Sequence, residues 1–187
     1  MDEKTESQKL VNGLLLEQTV EFLKNKKGES AVAELEKSLG PFIFDQYRMY
    51  PVEQLILLQR EVIKTAFGNE SDEGYYALGK HAFDTFTHTL IGATLTNMSS
   101  SPIEVLKRLQ ELWNSVVNFG TRKLIESDNT KGRAIIEIEN DPRNPSYLRG
   151  VIEGGLHAIH AINPSTKMIS NDNNKYDIEP DFLKLVS

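Results

Sequence analysis

The chain has 187 residues, of which 39% are hydrophobic and 26% charged, and it carries a formal net charge of −6. That length and apolar content predict one domain, residues 1–187, with a single hydrophobic core. The acidic charge excludes the broad positive field with which proteins bind nucleic acids or anionic membranes, and the absence of cysteine excludes disulfides, thiolate metal sites and a cysteine nucleophile.

Signals for membrane insertion or export are also missing from the sequence. No apolar stretch approaches the roughly 20 residues that cross a bilayer. The first residues, MDEKTESQK, are charged and polar, unlike the basic and then apolar pattern of a secretion signal. We therefore predict a cytoplasmic protein without membrane insertion, whose residues 1–8 form a flexible tail.

Residues 9–117 predict a helical part. Apolar residues at helical spacing indicate three helices before residue 71, over residues 11–27, 31–39 and 51–66. An aromatic connector, residues 42–50, separates the second of these helices from the third. The last helix of this part begins with a capping box that has proline in its first turn, Ser101-Pro102-Ile103-Glu104.

The longest predicted element is a central helix over Ser71–Met98, about 40 Å long at 1.5 Å per residue. Its inward face consists of apolar residues in steps of three and four: Tyr75, Leu78, Ala82, Phe86, Leu90 and Ala93. Gly79 and Gly92 lie within it, and each costs up to about 1 kcal/mol relative to alanine. Two glycines in such a helix indicate either a kink or the close approach of another backbone.

From Asn118 onward the pattern changes, and residues 118–187 predict a sheet with one helix. Two pairs of short β-prone runs indicate two hairpins, over residues 121–139 and 165–179. Between them, Ser146 can cap a helix that contains three glycines. The chain therefore predicts an α+β fold in which the hairpins form a four-stranded, mainly antiparallel sheet.

Two groups of side chains have spacings that a metal site could use. Glu153, His157 and His160 lie at i, i+4 and i+7 of the last predicted helix, so they share one face. The central helix carries another such group on one face: His81, Asp84, Thr85 and His88. Imidazole and carboxylate bind zinc, iron or manganese, but neither group matches a known signature, and chance or a solvated helix face is the simpler explanation. We expect no metal and no cofactor.

The chain has no motif typical of a catalytic nucleophile or of a phosphate-binding loop, so we predict a protein without enzymatic activity. Trp113, the single tryptophan, lies on the inward face of the helix that the capping box begins. It is either a core residue or part of the wall of a small-molecule pocket.

Short motifs spread over nearly the whole chain carry a resemblance to a known family. They are Val11–Leu15 (VNGLL), Tyr50–Val52 (YPV), Ala77–Lys80 (ALGK) with Phe83 and Gly92, Leu112-Trp113, Asn118–Gly120 (NFG) and Leu148–Gly154 (LRGVIEG). In this order they resemble a family of uncharacterised proteins expanded in myxobacteria. That family is similar in turn to the haem-based nitric oxide/oxygen-binding (H-NOX) domains, to 4-vinyl-reductase-type small-ligand domains and to related trafficking-complex subunits. The resemblance implies an H-NOX-like fold.

The same resemblance implies where a haem would bind, and the chain departs from the H-NOX pattern at both places. H-NOX domains hold the iron through histidine in a Leu-x-x-Leu-His context, whereas the similar stretch here, Leu109–Trp113, ends in tryptophan. Indole has no lone pair to donate to iron as imidazole does. Those domains clamp the haem carboxylates with a Tyr-x-Ser-x-Arg motif, and the stretch Ile138–Arg143 keeps only an arginine in another register. We therefore expect no haem.

Two functions of different classes follow from the resemblance. The first is a haem-free regulatory or sensory module for signalling, which binds a small apolar ligand in a cavity walled by Phe83, Phe86, Leu109 and Trp113. The second is a protein-interaction or dimerisation domain whose core Trp113 fills, as the similarity to paired trafficking subunits implies. A haem-binding gas sensor is a third alternative, which the sequence favours less than these two. A cavity beside Trp113 favours the first function, and continuous packing there with an exposed apolar patch elsewhere favours the second.

Overall fold

The computed structural model describes residues 8–89, 92–94, 101–128, 132–158, 162–172 and 175–183. Its described helices and strands are β1 (Leu10–Asn12), α1 (Gly13–Lys27), α2 (Glu29–Leu39), β2 (Met49–Pro51), α3 (Val52–Phe67), α4 (Asp72–Thr87), α5 (Pro102–Lys107), α6 (Leu109–Asn114), β3 (Thr121–Asp128), β4 (Arg133–Glu139), α7 (Pro145–Ala158), β5 (Ile162–Asp172) and β6 (Lys175–Leu183). The predicted α+β class is confirmed. Within the described part of the chain, no helix combines the length and the apolar character of a membrane span.

The main sheet has four strands in the order β3-β4-β6-β5, all antiparallel to their neighbours. Both predicted hairpins belong to it, because β3 pairs with β4, β5 pairs with β6, and β4 pairs with β6 between them. Ala134, Ile136 and Ile138 alternate along β4, and all three are buried in the same hydrophobic cluster as the helices. One face of the sheet therefore packs against the helical part.

A second, two-stranded sheet departs from the sequence prediction, which starts a helix at Val11 and places residues 42–50 in a connector. Here β1 pairs with β2, and Val11 also bridges Val117. The first helix consequently begins at Gly13. These strands depend on partners that lie about 40 or 100 residues away in the sequence, and helical periodicity does not reveal such pairings.

The central helix, α4, ends at Thr87 rather than at the predicted Met98. At its C-terminal end the Thr87 hydroxyl donates to the carbonyl of Asp84 (2.6 Å), and the Thr89 hydroxyl donates to the carbonyl of Phe86 (2.7 Å). These side chains compete for carbonyl groups that a continuing helix would use. The last four residues of the predicted helix lie outside the described residues.

The predicted capping box begins α5. The Ser101 hydroxyl accepts a hydrogen bond from the Glu104 N–H (3.4 Å), and Pro102 occupies the first turn. The predicted single helix is divided at Arg108, whose backbone (φ −92°, ψ 1°) separates α5 from α6. At the end of the predicted tail, the carbonyl of Gln8 accepts a hydrogen bond from the Asn118 side chain (3.1 Å), and the flexibility of the tail stays a prediction. Residues 1–7 of that tail lie outside the described residues.

Helices α4 and α7 touch through their backbones at glycine positions. A Cβ atom at Gly79 of α4 would collide with the carbonyl of Tyr147. In the reciprocal contact, a Cβ atom at Gly150 of α7 would collide with the carbonyl of Tyr76. Of the two alternatives that the sequence leaves open for Gly79, the structure therefore has the close backbone approach.

The buried face of α4 is centred on Phe83 rather than on Phe86. Phe83 is buried, whereas Phe86 is half-buried at the edge of the core. Phe83→Ala should therefore lower the free energy of unfolding by about 3–5 kcal/mol, as for other core phenylalanines. Phe86→Ala should cost clearly less, because part of its ring already contacts solvent.

Chemical denaturation of the two variants tests this difference, with Phe67→Ala at an exposed ring as the control. An equal loss of stability in Phe83→Ala and Phe86→Ala would contradict the assignment of Phe83 to the centre of the core.

Candidate functional site

A cavity of about 40 Å³ lies between α1, α4, α6 and α7. Seven aliphatic and phenylalanine residues form most of its wall: Leu15, Ala82, Phe83, Phe86, Leu112, Val116 and Val151. A water molecule needs roughly 10–15 Å³ of such space, so the cavity holds about three water-sized groups.

Three of the four residues predicted to wall a cavity line this one, namely Phe83, Phe86 and Trp113. The rings of Phe83 and Phe86 pack with their centroids 5.7 Å apart. The fourth residue, Leu109, is the first residue of α6, and its side chain is outside the described part of the structure. Ligand binding by this set stays a prediction.

Trp113 is a buried residue that combines a core position with a place in the cavity wall. Two guanidinium groups lie near its ring, with Arg122 Cζ 4.4 Å and Arg143 Cζ 4.7 Å from the ring centroid. Such cation–π contacts are worth about 2 kcal/mol or more when they are shielded from water. The indole Nε1–H has no hydrogen-bond partner among the described residues.

Both arginines bind one buried carboxylate, that of Asp141, in the loop between β4 and α7. Arg143 donates to Oδ1 from its backbone N–H and from Nε (both 3.0 Å), and to Oδ2 from its guanidinium end (2.6 Å). Arg122 donates to the same Oδ2 and to the carbonyl of Phe119 (3.0 Å). Removing one partner from a buried ion pair typically costs about 3–5 kcal/mol. The cluster thus fixes Trp113, β3 and this loop relative to one another.

Arg143 is the arginine that the sequence comparison places near a haem-carboxylate clamp. In the structure its guanidinium is buried and directed to Asp141, Trp113 and Tyr147, and it lines the cavity. Burial raises the pKa of Tyr147, which keeps this phenol neutral, although the positive charge of Arg143 acts in the opposite direction.

Gln18 of α1 lines the same cavity, and it is not among the site residues predicted from the sequence. Its side chain is 1% exposed, and neither Oε1 nor Nε2 has a hydrogen-bond partner within the described structure. A buried polar group without a partner costs roughly 1–3 kcal/mol. The available signal is its spacing, because Gln18 lies three residues after Leu15 and four before Phe22, on the apolar face of the helix. A water molecule or a ligand would supply the missing bonds.

The predicted group of Glu153, His157 and His160 is arranged differently from a metal site. The Glu153 carboxylate is buried, and His157 Nε2 lies 3.9 Å from its Oε1 on an exposed side chain. His160 lies outside the described residues. Across the ranges that the structure describes, no three metal-binding side chains come together.

Three side chains donate hydrogen bonds to the Glu153 carboxylate. The Tyr76 hydroxyl and Lys80 Nζ (3.2 Å) donate to Oε1, and the Thr166 hydroxyl donates to Oε2 (2.9 Å). Burial acts to raise the pKa of Glu153, but these hydrogen bonds and the charge of Lys80 outweigh it and bring the pKa below its ordinary value. Glu153 therefore links α7 to α4 and β5 as an ionised group.

The group on α4 is also dispersed. Asp84 and His88 are exposed, as a solvated face predicts, but His81 is half-buried with its ring centroid 5.5 Å from that of Phe22. Burial lowers the pKa of His81, so its ring favours the neutral form. Thr85 lies within 3.5 Å of His81 Nε2.

Because the pKa of Glu153 is lowered in the folded state, its ionised form stabilises the fold above the ordinary pKa of 4.5 and loses that effect as the pH falls through the folded-state value. Glu153→Gln should lower the free energy of unfolding at pH 7 by about 1–3 kcal/mol, since hydrogen bonds to a charged acceptor are weakened.

The difference between wild type and Glu153→Gln should shrink as the pH falls below about 4.5, measured by urea unfolding at several pH values. Glu111→Gln at an exposed position serves as the control. A difference that does not change with pH would show that the ionised carboxylate is not what stabilises this contact.

Solved H-NOX structures have the same fold as this chain. An H-NOX protein from S. oneidensis in the Fe(II)NO ligation state matches with a TM-score of 0.76 at 10% identity, over 92% of this chain and 99% of that one. An oxygen-binding H-NOX domain related to soluble guanylate cyclases, solved as its oxygen complex, matches with a TM-score of 0.72 at 14% identity, over 94% and 97% of the two chains. The Fe(II) unliganded H-NOX protein from K. algicida matches with a TM-score of 0.70 at 12% identity, over 94% of this chain and 98% of that one. The predicted H-NOX-like fold is confirmed, and at such identities the likeness shows the fold alone.

A comparison with curated proteins finds no match. The family model described as "Protein of unknown function (DUF2378)" matches residues 4–179, nearly the whole chain. With this match beside the structural likeness, the chain belongs to that family, and its fold is the H-NOX fold.

Proposed function

We propose that the protein is a non-enzymatic, haem-free sensory module that binds a small ligand in the cavity beside Trp113. The observation that carries this proposal is the cavity itself. Its wall is mostly apolar, and the aromatic rings of Phe83, Phe86 and Trp113 form part of it. A small apolar ligand would contact these rings and would be shielded from water there.

The residues around the cavity do not fit a haem. Its volume of about 40 Å³ is far below the roughly 300–1,000 Å³ of pockets for cofactors and drug-sized ligands. None of the described residues that line it is a histidine. The Trp113 indole and the Arg143 guanidinium, which is bonded to Asp141, occupy space beside it. These features support a sensor that does not use the chemistry of its structural neighbours.

A homodimer or a protein partner is the second candidate function. Four large apolar side chains in and around the segment that joins α2 to β2 are exposed, and Ile43 and Tyr47 are the most exposed at 83% and 86%; the other two are Leu39 and Met49. These four residues are close to one another in the sequence, and a contiguous patch of exposed apolar residues is typical of protein contacts. This surface is separate from the cavity, so the two candidate functions do not exclude one another.

Absorption spectroscopy tests the haem-free part of the proposal. Wild-type protein expressed with haem supplied should show no Soret band, because no described histidine faces the cavity and the cavity is too small. Trp113→His should show none either, since Arg143 and Asp141 still fill the space next to that position.

A Soret band in wild type that disappears when one of the four histidines is replaced would overturn the proposal and favour a haem-based gas sensor. A band only in Trp113→His would contradict the claim about space, because it would mean that the side chains around position 113 can open to admit a haem.

A further inference from the structure

We propose that an open groove between α1 and the joining segment, residues 40–48 between α2 and β2, binds an extended peptide segment of a partner protein that is both basic and apolar. The proposal rests on the second candidate function, a protein contact at this surface, and it specifies the chemistry of the partner. The groove has a volume of about 360 Å³ and shares no described lining residue with the cavity beside Trp113.

The apolar part of the groove is made of half-buried side chains. Val20 belongs to α1, and Phe42 and Phe44 belong to the joining segment. The rings of Phe42 and Phe44 are stacked with their centroids 6.2 Å apart, and Phe44 packs edge-on against Tyr50. Ile43 lies between the two phenylalanines and is 83% exposed. An apolar side chain of a partner would therefore contact aromatic rings inside the groove and an exposed aliphatic side chain next to it.

The charge of the groove is negative. Glu17 and Glu21 lie one turn apart on α1, and neither carboxylate has a hydrogen bond or an ion pair among the described residues. Lys24 is the one cation among the described residues that line the groove, and its Nζ is bonded to Glu29 (2.5 Å). Burial and the negative charge of Asp45 raise the pKa of Glu17, so a further carboxylate acts on it from the joining segment. A lysine or arginine of a partner would supply the missing positive charge.

The joining segment also presents unpaired backbone groups. Side chains alternate between exposed and half-buried over residues 41–45, as in an extended strand. The N–H groups of Phe42 and Asp45 donate to side chains (both 2.9 Å). Those of Ile43 and Phe44 have no hydrogen-bond partner within the described structure. Because an added strand pairs with such free groups, they favour a peptide in an extended conformation over a helix.

The same charges disfavour a second copy of this chain as the occupant. Two copies related by a twofold axis at this surface would bring the same patch of each copy together. Glu17, Glu21 and Asp45 of one copy would then lie close to the same carboxylates of the other and would repel them. A basic segment replaces this repulsion by attraction, which also speeds its encounter with the groove.

Fluorescence anisotropy tests the proposal with labelled peptides of about six residues, the usual length of a strand. In three of them lysine alternates with valine, leucine or tyrosine, and in three counterparts glutamate replaces lysine. At least one lysine peptide should bind wild-type protein in a saturable way, and its glutamate counterpart should not. Methylation of alternate backbone nitrogens in that lysine peptide should abolish binding, because a methylated nitrogen cannot donate to a neighbouring strand.

Variants of the two groove carboxylates test the charge. Glu17→Gln combined with Glu21→Gln should weaken binding of the lysine peptide about fivefold, the ratio that two exposed ion pairs provide. Glu17→Lys combined with Glu21→Lys should bind the glutamate peptide in preference to the lysine peptide. Glu73→Gln combined with Glu111→Gln is the matched control, since both residues are exposed and neither lines the groove. This control should bind the lysine peptide as wild type does.

Other results would overturn the proposal. Equal binding of lysine and glutamate peptides, or unchanged binding in the glutamine double variant, would exclude recognition of a basic segment. Undiminished binding of the methylated peptide would exclude an extended, strand-like complex. Binding of no peptide by a protein that sediments as a dimer would favour a homodimer and leave the second candidate function in place. Binding of no peptide by a monomer would overturn that function as well. Should the lysine double variant fail to fold, the glutamine double variant decides.

Discussion

The close contact between α4 and α7 is the constraint on which the rest of the structure depends. Gly79 and Gly150 lack the Cβ atoms that would hold the two backbones apart, so each helix receives a carbonyl of the other at its surface. At this separation the side chains on either side of the contact have fixed places. Glu153 reaches Tyr76 and Lys80 of α4, and Phe83 lies against Gly154 and Gly155 of α7. Larger residues at the two contact glycines would push the helices apart and would change the space between them.

The interior of this fold is more polar than a hydrophobic core requires. Arg122, Asp141 and Arg143 form a buried ionic cluster around Trp113, and Gln18 adds an amide without a described partner. Buried ionic groups rarely add stability relative to apolar residues of the same volume, so their presence needs another reason. One reason is positional, because both arginines bind Asp141 and lie over the Trp113 ring, so the cluster holds that ring in the cavity wall.

The local features and the joining of the two hairpins in one sheet could be predicted from the sequence, whereas the pairing of β1 with β2 and the contacts between individual buried side chains could not. The Ser101 cap and the two hairpins depend on neighbouring residues, and the structure contains them. The length of α4 was overestimated because its apolar periodicity continues past Thr87, where threonine hydroxyls take the carbonyl groups of the last turn. The likeness to H-NOX domains depends on the order of the elements, and short motifs retain that order even where the overall identity to the solved structures is 10–16%.

In the candidate site, too, residues on apolar helical faces could be predicted, and the pairing of individual side chains could not. Phe83 and Trp113 could be identified because each lies on an apolar helical face. The ion pair of Arg122 with Asp141 joins a residue of a strand to a residue of a later loop, and no sequence motif around either residue indicates the pairing. Gln18 could have been identified as the one amide on the inward face of α1, but spacing alone does not show that it lacks a partner. Whether a buried polar group is satisfied is a property of the folded structure.

A native mass spectrum of protein purified from its own host decides whether this H-NOX fold holds a small ligand in place of a haem. The spectrum should show the polypeptide with a small organic adduct that is lost on mild activation, and no adduct of haem mass. A haem adduct, or a polypeptide that carries no adduct under conditions that preserve its fold, would contradict a haem-free ligand-binding module.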